Sequence, residues 1–346
     1  MMSQTNLKNR QIFILNPLAS DKSSAVRGLG RFTKVVISSL NEAKVVSKNE
    51  LSKLSSKDSL LIFPYINWTT LNLFLKRYTD KQVLFIHDLI PLKYPQYFPK
   101  GIKGSFFYKI NRFLFNRNID FVITDTNAVK QEIVSILGFP EEKVFVAYPG
   151  VDPVFFKQEF KAKQDFCLYV GDATFNKNLP FMARLVKQAG VKLYLVGKVW
   201  ESLTSNKLDL SHPEMRSLKE FSELISGSTN FKVVGFVSDL QLRKLYAEAR
   251  LNILVSLDEG FGYSTLEAGL QRTASLISDI PVFKEVVGDC AVYVNPLDLD
   301  SAVSALKDLY YNDNLNSQIA EKIYKRAQRF TVEKFGSQLR QIIKRL

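Results

Sequence analysis

Short apolar runs alternate with polar stretches of helical spacing along the whole chain. In residues 1–150 the runs predict strands at 11–16, 60–64, 82–87, 120–124 and 143–148. Apolar positions three and four apart predict helices at 29–40, 69–77, 102–116 and 128–137. The design repeats beyond residue 151, with strands at 166–171, 192–197, 231–235, 251–256, 274–278 and 291–295. Past residue 312 the pattern is nearly all helical. Strands alternating with amphipathic helices form parallel sheets with helices on both faces. A proline- and glycine-rich stretch at 148–153 divides the pattern into two halves, as a hinge between domains would.

Composition narrows the class. A chain of 346 residues suits two domains, and a hydrophobic fraction of 46% is that of a folded protein. No apolar run reaches the roughly 18 residues of a membrane span, and the run at 12–15 is too short for a signal-peptide core. Cys167 and Cys290 lie in apolar surroundings without paired spacing, which predicts two buried, reduced thiols in a cytoplasmic protein.

The net charge of +13 is uneven: residues 1–150 hold 21 Lys and Arg against 11 Asp and Glu. Zinc-finger, RNP-type and basic-arm patterns are lacking, which argues against nucleic acid as the partner. An anionic membrane face accounts for the asymmetry more simply. Residues 100–117 mix lysines and arginines with five aromatic side chains. They form either a helix lying on such a surface or, the reading favoured on sequence, a half-buried helix with its aromatics turned inward.

The most informative segment is Ser256-Leu257-Asp258-Glu259-Gly260-Phe261-Gly262-Tyr263-Ser264-Thr265-Leu266-Glu267. It passes from an apolar strand through two glycines into a helix start. Such a turn aims free backbone N–H groups and the positive helix end at one point, suited to phosphate. Glu259 and Glu267, eight positions apart, bracket it, and carboxylates accept hydrogen bonds from vicinal hydroxyls. The ligand predicted is one with phosphates in the middle and a sugar at each end.

Other loops follow strands in the same way. Gly28-Leu29-Gly30-Arg31 reads as a glycine loop near a helix start, and His87-Asp88-Leu89-Ile90-Pro91 ends a strand. His87 is open to a second reading as a hydrogen-bonded core residue, and Asp88 to one as a turn cap. Lys177 follows the strand 166–171. Gly197-Lys198 and Gly235-Phe236-Val237 close two further strands, where ordinary turns are the competing reading. Asp298-Leu299-Asp300 has the spacing of a metal-binding D-x-D pair but precedes a helical pattern, which predicts an N-cap.

Glu259 to Glu267, continued by Ser278-Asp279-Ile280-Pro281 and Asn295-Pro296-Leu297-Asp298, resembles the E-x7-E signature of family 4 retaining glycosyltransferases. The His87 segment is similar to that of bacterial mannosyltransferases of surface-polysaccharide synthesis. The resemblance implies the GT-B fold: two Rossmann-like α/β domains facing a central cleft. It implies an acceptor-binding domain at 1–150, a nucleotide-sugar domain at 151–328, and a helix at 329–346 returning to the first. It further implies a retaining transfer of a hexose, by first choice mannose from GDP-mannose, to a glycan or lipid-linked oligosaccharide. The site would need no metal or other cofactor, and the enzyme would work in the cytoplasm or on the inner face of the plasma membrane.

The matching positions assign roles. Glu259 would hold the hexose, Glu267 the ribose, and Lys177 the diphosphate. Gly262, Tyr263, Ser264 and Thr265 would offer backbone N–H groups. Gly197, Lys198, Phe236 and Val237 would flank base and ribose. His87, Asp88, Gly28, Gly30 and Arg31 would border the transferred sugar, the diphosphate and the acceptor. Ser264 stands where the family has proline, Arg272-Thr273-Ala274 where it reads G-T-P, Asn176 where it has arginine and Asp172 where some relatives place another; of these, Asp172, Asn176 and Arg272 weigh against activity. They sustain an alternative, a catalytically silent subunit that binds sugar nucleotide or glycan.

Overall fold

The structure is a computed structural model that describes residues 10–16, 28–54, 57–72, 75–159, 161–204, 210 and 213–346, without the side chains of 28, 29, 31, 204 and 213. Its first elements are β1 (Gln11–Leu15), α1 (Gly28–Ser39), β2 (Lys44–Val46), β3 (Ser59–Phe63), β4 (Lys81–Ile86), α2 (Ile90–Lys93), α3 (Gly101–Asn118), β5 (Phe121–Thr124), α4 (Asn127–Leu137) and β6 (Val144–Val146). Then come β7 (Gln164–Val170), α5 (Leu179–Ala189), β8 (Leu193–Val196), α6 (Lys198–Thr204), α7 (Arg216–Ile225), β9 (Phe231–Gly235), α8 (Asp239–Glu248) and β10 (Ala249–Leu254). The last are α9 (Tyr263–Leu270), β11 (Ala274–Ser278), α10 (Pro281–Val287), β12 (Val292–Val294), α11 (Leu299–Tyr311), α12 (Asp313–Ala327) and α13 (Val332–Ile343). The chain divides into a unit of residues 1–89, 100–150 and 331–346 and a unit of residues 90–99 and 151–330.

The first unit holds a six-stranded parallel sheet in the order β2-β1-β3-β4-β5-β6. Buried strand residues such as Ile14, Leu60 and Phe85 share a core with Phe32 and Val36 of α1 and with Phe335 and Leu339 of α13. Arg340 fastens α13 to the end of α1, bonding the Ser39 carbonyl and Glu42, both at 2.9 Å.

The second unit holds another parallel sheet, in the order β12-β11-β10-β7-β8-β9. The chain winds outward from β7 to β9, then returns to the other side of β7 to place β10. Loops leaving the carboxyl ends of β7 and β10 therefore run in opposite directions, and this reversal is where open α/β sheets bind ligands.

Two sequence expectations fail in the first unit. Residues 69–72 and 75–77 are not helical. Polar side chains take the backbone groups a helix would need: Asn67 Oδ1 accepts the Thr69 N–H, and Asn72 Nδ2 donates to the Asn67 and Thr70 carbonyls. The edge strand β2 was not anticipated; it is three residues long, and only Val46 is buried.

Candidate active site

At the reversal, Lys177 and Glu259 form the centre of the second unit's site. Lys177 lies in a single 3-10 turn after β7, and Glu259 lies five residues beyond Leu254 at the end of β10. Lys177 Nζ donates to both carboxylate oxygens, at 2.7 Å and 2.9 Å, and Ser256 Oγ donates to Oε1 at 2.6 Å. The Lys177 and Glu259 side chains are only 17% and 9% exposed, so the pair is held largely out of water.

A second pair lies next to it in the chain. Asp258 accepts the Glu259 N–H at 2.9 Å and pairs with Lys93 of α2. Tyr97 of the same 90–99 segment stacks on Phe175, ring centroids 3.3 Å apart. Two carboxylate–ammonium pairs thus stand side by side at the end of β10. A diphosphate arriving there would compete with the carboxylates for the ammonium groups.

Asn176 ties the two loops together. Its carbonyl accepts the Leu257 N–H at 2.7 Å, and its Nδ2 donates to the Asp258 carbonyl at 2.9 Å. The buried Asn176 therefore fixes the Lys177 loop to the Glu259 loop. Asp172 accepts from Thr174, through Oγ1 at 2.8 Å and N–H at 3.3 Å, and so shapes the preceding turn. Arg272 adopts a left-handed conformation, φ 52°, pairs with Glu321 and stacks over Tyr324. These three departures have structural employment.

Gly262 opens α9 with φ 88°, and a Cβ there would come within 2.5 Å of Phe283. The position demands glycine on both counts. Gly262, Tyr263 and Ser264 lie at the positive end of α9. Contrary to the sequence expectation, the Thr265 N–H is taken up within the turn, bonding the Gly262 carbonyl at 3.1 Å. Glu267, one turn on, is buried and accepts the Tyr246 hydroxyl at 3.0 Å, which holds its carboxylate in place.

The turns after β8 and β9 meet. Gly197 donates to the Gly235 carbonyl at 2.9 Å, and a Cβ on Gly197 would stand 2.3 Å from the Gly171 carbonyl oxygen. Lys198 is exposed, Phe236 is 47% exposed, and Val237 is half-buried. Glu201 supports this turn by accepting the Phe236 N–H at 2.9 Å. Asp298 caps α11 by accepting the Ser301 N–H at 3.1 Å, so the D-x-D spacing belongs to a helix start.

In the first unit, strand register brings three residues together. Ile86 pairs with Thr124, so His87 and Asp125, the next residues, emerge side by side. His87 Nδ1 lies 2.9 Å from Asp125 Oδ2 and Nε2 lies 3.0 Å from the Pro64 carbonyl. Both partners are acceptors, an arrangement that favours a proton on each ring nitrogen. Burial opposes the charge, but Asp125, the two hydrogen bonds and Asp88 outweigh it and hold the pKa above the ordinary histidine value. The cationic form of the ring is thereby favoured over that of an ordinary histidine. Gly28 and Gly30 lie in the first turn of α1, which starts one residue before the helix expected at 29–40, and the side chain of Arg31 lies outside the described residues. Of the cysteines, Cys167 is buried, and burial raises its pKa. Cys290 is half-exposed, contrary to expectation.

Sequence reasoning missed Lys93, Asp258, Ser256, Asp125 and Tyr246. Asp125, the residue after β5, could have been found by asking what pairs with His87 across adjacent strands; Lys93 had no such signal.

A family model described as glycosyl transferases group 1 matches residues 151–326, and one described as glycosyltransferase family 4 matches residues 62–155. The chain belongs to the family 4 glycosyltransferases. This glycosyltransferase is 28% identical over 272 residues to the O-antigen chain mannosyltransferase RfbU of Salmonella typhimurium, covering 75% of this chain and 73% of that one. It is 25% identical over 249 residues to O-antigen chain mannosyltransferase B of Escherichia coli, covering 68% of this chain and 62% of that one, less than two thirds of the relative's length. The fold matches the crystal structure of Anabaena Alr3699/HepE in complex with UDP and glucose, with a TM-score of 0.69, 14% identity, and coverage of 98% of this chain and 100% of that one. The architecture is GT-B.

Proposed function

We propose that this glycosyltransferase moves mannose from GDP-mannose to a glycan or lipid-linked oligosaccharide, with retention and without a metal ion. The carrying observation is the Lys177–Glu259 pair at the β7/β10 reversal, beside the positive end of α9. Similarity to the two O-antigen mannosyltransferases favours mannose.

In this reading the diphosphate draws Lys177 toward itself, and the N–H groups of Gly262, Tyr263 and Ser264 complete its cradle. Preorganised charge of this kind contributes several kcal/mol to a transition state when water is excluded. Glu259, released from the ammonium, accepts sugar hydroxyls, and Glu267 accepts those of the ribose. Ser256 still bonds the released Glu259 at Oε1, which holds the carboxylate as a hydroxyl acceptor and weakens it as a nucleophile. That supports attack by the acceptor on the face the phosphate leaves, with the departing phosphate taking the acceptor proton.

The test is thermal denaturation with GDP, UDP, ADP, GDP-mannose and UDP-glucose, beside a Glu267→Ala variant, followed by mannosyl transfer in excess EDTA. A ligand at 100 times its Kd adds about 2.7 kcal/mol of stability. A shift with guanine nucleotides only, lost in the variant, and transfer that survives EDTA are the expected results. A shift with uridine nucleotides only would overturn the donor assignment, and loss of transfer in EDTA would overturn the metal-free mechanism.

A further inference from the structure

Helix α3 has two unlike faces. One is fastened into the first unit: Asn111 accepts the Asn72 N–H at 3.0 Å and donates to the Trp68 and Thr70 carbonyls, while Phe115 and Asn118 are buried. The aromatic helix is therefore not turned wholly inward, as the sequence had favoured. On the other face Ile102 is 93% exposed, Phe106 60% and Phe113 62%. Spacings of four and seven residues put these three on one stripe. Exposed Lys103, Lys109 and Arg117 stand among them, and Gly101, Ile102, Ser105, Phe106 and Lys109 line an open depression.

Large bare apolar side chains on a helix whose other face is fully engaged mark a surface with an occupant. Charge identifies which one. No carboxylate occurs between Asp88 and Asp120, while the same interval carries six lysines and arginines. A second copy of this chain, meeting the stripe symmetrically, would set these cations against themselves. An anionic lipid surface satisfies both features: acyl chains receive Ile102, Phe106 and Phe113, and headgroup phosphates receive Lys103, Lys109 and Arg117. The net positive charge of residues 1–150 acts in the same direction. No helix of the described residues is long and apolar enough to cross a membrane, so this contact would lie in the interface plane.

We propose that the exposed stripe of α3 is a docking surface for an anionic membrane, bringing the enzyme to acceptors carried on lipid. The contact is independent of donor chemistry, and its test uses no sugar nucleotide. The whole protein is floated with vesicles of phosphatidylcholine alone and of phosphatidylcholine with about 30% phosphatidylglycerol, a charged composition of the kind basic helices read. Binding to the anionic vesicles only is expected. Phe106→Ser/Phe113→Ser and Lys103→Glu/Lys109→Glu should each weaken it about tenfold or more. These side chains are exposed, so circular dichroism and the thermal midpoint should match the parent. Absence of binding to phosphatidylglycerol vesicles, or binding undiminished in both variants, would overturn the proposal. So would a concentration-dependent dimer in sedimentation equilibrium that Phe106→Ser/Phe113→Ser abolishes, since the occupant would then be a second copy.

Discussion

Replacing Lys177 by methionine removes the cation but keeps the length of the side chain, leaving Glu259 in a site where it is 9% exposed with Ser256 as its remaining side-chain partner. Breaking a buried pair from one side costs about 3–5 kcal/mol, because the surviving charge has lost its compensation. Water can follow the 17%-exposed Lys177 path, which places the expected loss near the lower end, at about 3 kcal/mol. Glu259→Gln should cost less, and the double variant should recover much of the loss, with a coupling of about 1.5–3 kcal/mol. The chain has two tryptophans, Trp68 in the first unit and the fully buried Trp200 in the second. In a Trp68→Phe background, urea unfolding followed by fluorescence therefore reports the second unit alone. A Lys177→Met loss below about 1 kcal/mol, or a double variant equal to the sum of the singles, would refute the claim that the pair is a buried, coupled unit.

Three further outcomes follow from the geometry. His87 has a raised pKa, so its contribution to stability is complete below the ordinary value near 6.5 and fades as pH rises through the folded value; NMR titration should show the raised value in the parent and its fall in Asp125→Asn. Lys163 behaves oppositely: burial, with Arg250 adding to it, lowers its pKa to about 7, and Thr273 holds it at 2.6 Å. The unfolded chain then binds more protons, so parent stability should rise between pH 7 and 10 by at most about 1.4 kcal/mol per unit, a slope that Lys163→Met should remove. Gly262→Ala should lose about 1–2 kcal/mol from its left-handed backbone alone, more from the Phe283 overlap, and nucleotide-dependent thermal stabilisation should disappear with it; an unchanged melting curve and ligand shift would contradict the geometry.

What the sequence disclosed depended on how local each signal was. Leu60-Leu61-Ile62-Phe63 and Val83-Leu84-Phe85-Ile86 are continuous apolar runs, as strands buried on both faces of a parallel sheet commonly are. The Gly262 turn was visible because glycine is required where φ is 88°. By contrast, the pattern over 69–77 has helical spacing, yet Asn67, Asn72 and Asn111 redirect its backbone, and the decisive partner lies 39 residues away. Asn176 was taken for a weakened anion site because its role, joining two loops 82 residues apart, exists only in three dimensions. The Lys93–Asp258 pair escaped for the same reason: nothing in the local pattern says that residues 90–99 belong to the second unit.

The return of α13 to the first unit sets an order of events during synthesis. Phe335, Leu339, Ile342 and Ile343 complete a core begun by Ile12, Ile14 and Phe32, so that core cannot close until the ribosome has made the last helix. Every residue of the second unit, from 90–99 and 151–330, has by then been translated. The upstream sheet therefore waits with part of its apolar surface uncovered while the second unit is made. Domains made in sequence ordinarily finish from the N-terminus. Here the N-terminal unit cannot finish ahead of its neighbour, because its own core is completed by the helix made last.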